Sequence, residues 1–131
     1  MKFKHVFVLA LIIATSISVN AQGGFRRTVE ERVKAVHEKM DSVFKLDADK
    51  QTKIDTVFAN YYRQQDKLRE EMRSAGERPD FQAMREKMQP MIEARDKELK
   101  TILSDDQFKK WKEEIEPSMM QRRRGGGGNR Q

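Results

Sequence analysis

Apolar positions in this chain recur at steps of three and four. Val29, Val33, Val36, Met40 and Val43 share one face at 100° per residue, which predicts a helix from about Thr28 to Phe44. Ile54, Val57, Phe58, Tyr61, Leu68 and Met72 form a second stripe, interrupted at Gln65. Asp47 is placed to cap this helix, and Ser74-Ala75-Gly76 with Pro79 closes it. Phe81, Met84, Met88, Met91, Ile92, Leu99, Ile102 and Leu103 hold a single phase although Pro90 lies among them. An interior proline removes a hydrogen bond and costs about 3 kcal/mol, so this is one kinked helix or two in near register; the unbroken phase favours one kinked, curved helix. Phe108, Trp111 and Ile115 predict a short fourth helix stopped by Pro117. No segment alternates with a period of two, so the expected class is all-α.

The third and fourth helices meet at Leu103-Ser104-Asp105-Asp106-Gln107. Ser104 is positioned to accept from the Gln107 N–H while the Gln107 side chain reaches back to the Ser104 N–H, a capping box. Leu103 and Phe108 can close a hydrophobic staple, and the two aspartates sit at the positive end of the helix dipole. A degenerate copy occurs 57 residues earlier at Leu46-Asp47-Ala48-Asp49-Lys50, where Asp47 can cap but Lys50 stands where glutamine would complete the box.

Two L-[S/T]-x-x-Q elements at this separation resemble the LTxxQ family of periplasmic proteins, whose best known members are the Spy and CpxP chaperones. Leu103, Ser104 and Gln107 match the second motif; at the first, Leu46 matches, Asp47 replaces threonine and Lys50 departs from glutamine. The likeness extends over roughly residues 46–116. It implies four helices in a hairpin-type arrangement with long, bent central helices, forming a thin, curved, cradle-like homodimer. The motif residues would then be structural.

The ends of the chain read differently from its middle. Positive Met1-Lys2-Phe3-Lys4, an apolar run from Val6 to Ala14 and a small-x-small site at Val19-Asn20-Ala21 predict a cleaved signal peptide over residues 1–21 and a periplasmic mature protein. The run falls short of the roughly 20 residues that span a bilayer, so no integral membrane segment is expected after cleavage. Residues 22–27 read as a flexible segment, 28–117 as the helical domain and 118–131 as a disordered Arg/Gly-rich tail. The chain has no cysteine, which excludes disulfides, thiol chemistry and a lipoprotein anchor.

Formal net charge is +6, from 27 basic and 21 acidic side chains. Residues 1–21 hold two lysines and no acid, so the mature chain carries 25 against 21. Six of those 25 are Arg26, Arg27, Arg122, Arg123, Arg124 and Arg130, which leaves residues 28–121 nearly neutral at 19 against 21. Basicity therefore belongs to the ends, and no nucleic-acid partner is expected. The tail resembles RGG segments only superficially, with contiguous arginines and no aromatic; weak contact with anionic surfaces or no contact at all remain open for it. One domain of about 110 residues with 37% hydrophobic and 37% charged residues must have a thin core, which favours a partner subunit or open apolar surface.

Candidate chemistry is sparse. With no cysteine and a single histidine in the mature chain, His37, neither a nucleophile nor an acid/base pair is evident, and no enzymatic activity or cofactor is expected. His37 and Asp41 would make half a metal site; a solvated surface histidine is the simpler reading. Met84, Met88 and Met91 share a helix face, with three readings open: core filling, adaptable contact with varied partners, or Cu(I) binding. Arg95 interrupts the third stripe, either lining a binding face or snorkelling at its edge, paired with a helix-two carboxylate such as Asp55. Arg63, Lys67, Arg69, Arg73 and Arg85 gather positive charge around the junction of helices two and three.

By the family resemblance, the expected function is ATP-independent chaperoning of unfolded or partly folded envelope proteins, limiting their aggregation. The residues expected to meet clients are Arg69, Arg73, Phe81, Met84, Arg85 and Met88. Two other readings are an accessory regulator of an envelope-stress sensor kinase and an extracytoplasmic metal-responsive protein.

Overall fold

A computed structural model describes residues 26–76 and 80–125, with side chains described to Gln121. The signal-peptide segment and most of residues 22–27 lie outside the described residues, as does the end of the tail. Apart from caps and short connections the described residues are helical, with no strand, and the fold is all-α.

Helix α1 (Val29–Phe44) opens with a full capping box: the Glu31 N–H donates to Thr28 Oγ1 at 3.1 Å, and the Thr28 N–H donates to Glu31 Oε2 at 2.8 Å. It ends at Lys45, whose φ of 47° is left-handed and whose N–H closes onto the Asp41 carbonyl at 2.9 Å. Asp47 caps α2 (Ala48–Ser74) by accepting from the Lys50 N–H at 2.8 Å. A glycine, Gly76, takes the positive φ of 68° that follows α2.

At 27 residues, about 40 Å long, α2 is the spine of the molecule. Both α1 and α3 (Phe81–Ile102) pack on it, which is why its buried positions are so many: Ile54, Val57, Phe58, Tyr61, Tyr62, Leu68 and Met72, with Gln51 and Gln65 between them. Gln65 does not interrupt the stripe; it is 4% exposed and continues the buried face. Pro90 lies inside one continuous α3, the single-helix alternative.

The fourth helical region departs from expectation. After α4 (Asp105–Lys110) the chain forms a π turn over Trp111–Ile115 and then α5 (Glu116–Gly125), so Pro117 does not stop the helix. A proline ring strikes the carbonyl four residues back in an α-helix, and the wider π turn relieves that clash. The Glu116 N–H accordingly reaches five residues back, to the Trp111 carbonyl. Residues 118–125, expected in a disordered tail, are helical.

The core is one cluster centred on Phe58, with Val36 and Met40 from α1, Leu99 and Leu103 from α3 and its end, and Trp111 and Ile115 from the π turn. Phe58 and Trp111 meet edge-on, centroids 5.2 Å apart at 67°.

Candidate functional site

The outer end of the α2–α3 pair carries all six residues expected to meet clients. Phe81, in the first turn of α3, is 68% exposed, and the Arg85 guanidinium lies 5.0 Å from its ring centroid. Met84 and Met88 follow on the same face, half-buried and outside the core cluster, whereas Met91 packs against that cluster. Across the turn, Arg69 donates to Asp66 and Arg73 to Glu70, each at 3.2 Å and each within α2. Leu68 and Met72 are buried at this level of α2. The result is an apolar face bearing a flexible thioether pair and an exposed cation–π pair, bordered by arginines tied to carboxylates.

Arg95 belongs to a different environment. It is 4% exposed and pairs not with Asp55 but with Asp96 and Glu116: Nη2 is 2.6 Å from Asp96 Oδ1 and 2.6 Å from Glu116 Oε1. Lys112 Nζ closes the group at 2.9 Å from Asp96 Oδ2 and 2.7 Å from Glu116 Oε2. The four charges sum to zero, and Tyr61 stacks on the guanidinium at 4.7 Å, with Phe58 and Trp111 farther off. Burial by itself lowers the Arg95 pKa; the charge of Glu116 and the hydrogen bond to Asp96 outweigh it and hold the guanidinium above its ordinary value. Lys112 behaves the same way, lowered by burial and raised further by its bonds to Asp96 and Glu116. This network ties α3 to the π turn and α5, and with Arg95 and Glu116 buried and every member paired it is a structural joint, not a binding face.

A second arginine occupies the equivalent register of α1. Arg32 lies three residues after Val29 and four before Val36, as Arg95 lies three after Ile92 and four before Leu99. Arg32 is 7% exposed, stacks on Tyr62 at 4.7 Å, donates to the Thr28 carbonyl at 3.3 Å and pairs with Asp66. Adjacent tyrosines of α2 thus receive one arginine from each flanking helix. The 3-and-4 spacing around Arg32 was the signal available in the sequence; for Asp96, Lys112 and Glu116 the only hint was the four-residue spacing of the last two.

Asp55, the carboxylate expected to meet Arg95, instead pairs with His37, whose Nδ1 is 2.8 Å from Oδ2. The His37 side chain remains 43% exposed, as a surface histidine would be, but it also bridges α1 and α2, beside an open groove of about 890 Å³ that includes Val33, Asp41 and Arg63. Among the described residues no three His, Cys, Asp or Glu side chains come together as a metal site, and no helix is long and apolar enough to cross a membrane.

At the motif, the Gln107 N–H donates to Ser104 Oγ at 3.2 Å and the Ser104 N–H to Gln107 Oε1 at 3.0 Å. Leu103 is buried in the core, and Leu46 packs against it, half-buried. All these side chains serve helix starts and the core beneath them.

The chain belongs to the family described as a domain of unknown function, DUF4890, whose match spans residues 18–111. No curated protein and no solved structure matches the chain.

Proposed function

We propose that this protein is an ATP-independent periplasmic chaperone, exported by a cleaved signal peptide and related to the LTxxQ proteins. The observation that carries the reading is Phe81, a large aromatic left 68% exposed at the head of a methionine face, whereas every other aromatic among the described residues is at least partly buried. The guanidinium groups of Arg69, Arg73 and Arg85 steer an approaching chain electrostatically; the thioethers of Met84 and Met88 then adapt to whatever apolar side chains arrive. Small contact area keeps capture weak, so the client is released to fold. Neither a catalytic residue nor a cofactor enters this mechanism.

In the arrangement proposed with it, the four helices form hairpins whose bent central pair builds a thin, curved cradle, and two copies associate to enlarge it. Light scattering of two unrelated aggregating proteins, with equimolar mature protein and no ATP, tests the reading. Suppression of both is expected, and loss of suppression in Phe81→Ala; aggregation of both at the unassisted rate would overturn it. Selective, saturable binding of one partner alone would point to the regulatory reading.

A further inference from the structure

The eight methionines are the only sulfur atoms in the chain, and the fold sorts them sharply. Met40, in the core cluster, is 0% exposed, and Met72, near the end of α2, is 4% exposed. Met84 and Met88 are half-buried, four residues apart on α3, outside the core cluster and in line with exposed Phe81. Met120, on α5, is 54% exposed but lies outside that face. We propose that Met84 and Met88 form an oxidation site that switches the apolar face of α3 between an adhesive and a polar state.

Peroxide is the oxidant class. A thioether lone pair attacks one peroxide oxygen, the S–O bond forms as the O–O bond breaks, sulfur loses two electrons, and the other oxygen leaves as water after proton transfer. The sulfoxide is returned by two thiols of a methionine sulfoxide reductase, which end as a disulfide and water. With no cysteine in the chain, no thiol of its own competes for the oxidant. Oxidation places a strong S=O dipole where a flexible apolar group stood, and on a half-exposed helix face that dipole is solvated without unfolding the helix. Both sites lie beyond the Phe58-centred cluster, so that cluster is untouched while the face turns polar.

The effect on capture rests on the chaperone reading; the location of oxidation does not. The mature protein is treated with graded hydrogen peroxide, mapped by peptide mass spectrometry, and checked for helix content by circular dichroism. Met84 and Met88 are expected to oxidise about tenfold faster than Met40 and Met72 with helicity retained. Equal rates, or oxidation only alongside loss of helix, would overturn the proposal. In the light-scattering assay, capture by treated protein should fall several-fold and return after reductase treatment. The M84L/M88L variant should lose none of its own starting capture on treatment, whereas M120L should lose as much as the parent. Unchanged capture by protein oxidised at both positions sinks the switch. If untreated protein suppresses no aggregation, the chaperone reading falls instead, and the mapping alone decides the oxidation site.

Discussion

Along α3 the apolar phase is unchanged from Phe81 to Ile102, yet its N-terminal half leaves Phe81 68% exposed with Met84 and Met88 half-buried, while its C-terminal half buries Leu99 completely and Arg95 to 4%. Hydropathy would assign the opposite fates to a phenylalanine and an arginine. The difference lies in what covers each half. Both face α2, but only the C-terminal half also meets Trp111, Ile115 and Glu116 from the returning chain. A stripe marks which side of a helix can be buried; a second covering layer decides how much of it is. Arg95 enters the buried half because that layer brings carboxylates and aromatic rings to its guanidinium.

The largest contrast is in the core. Phe58→Ala should lower unfolding stability by about 3–5 kcal/mol in urea titrations, because its cavity is ringed by Leu99, Trp111 and Ile115. Arg95→Met comes next, at about 3 kcal/mol, since it leaves buried Glu116 and Asp96 with Lys112 as their remaining cation. The double change R95M/E116L should recover most of that loss. Arg32→Met should cost less, about 1–2 kcal/mol, because its partner Asp66 is 45% exposed and water takes over. A cost for Arg32 equal to or above that for Arg95 would break the distinction between a carboxylate partner open to water and one covered by the returning chain.

Ser104→Ala should remove about 1 kcal/mol through loss of the cap, with client capture unchanged; lost capture in a folded protein would make the motif part of the working surface.

A smaller, pH-dependent effect belongs to the network. Lys112 has a raised pKa in the folded protein, so its contribution is complete below the unfolded value of about 10.4 and declines as pH rises through the folded value. The urea midpoint should therefore drop in that alkaline window, and Lys112→Arg should blunt the drop. Phe81→Ala should be the smallest stability change, within about 0.5 kcal/mol, while abolishing capture.

Helix positions were legible in the sequence because they depend on local chemistry. Asp47 and Ser104 cap the helices they precede, as their types and positions predicted, and stripes at 3.6-residue spacing identify the sides that face inward and place the first helix start near Thr28. The candidate residues Phe81, Met84, Arg85 and Met88 were legible as a helix face, and their half-exposure was not. Pro117 misled, because a proline read locally is a stop and only the preceding π turn makes it tolerable. Gln65 misled as well, being polar yet buried along the spine.

By itself, then, the sequence determined an all-α class for the described residues, where three of the helices start, which face of each is apolar, and a near-neutral middle between basic ends. Caps, periodicity and charge act within a turn or two of chain, so they need no fold to be read. Tertiary structure decided the partners: Asp55 for His37, Glu116 for Arg95, Asp66 for Arg32, and solvent for Phe81. Those choices depend on which helix lies opposite, and electrostatic and apolar contacts fall off within a few ångströms. Residues 21 and 34 positions apart pair only once packing has brought them together.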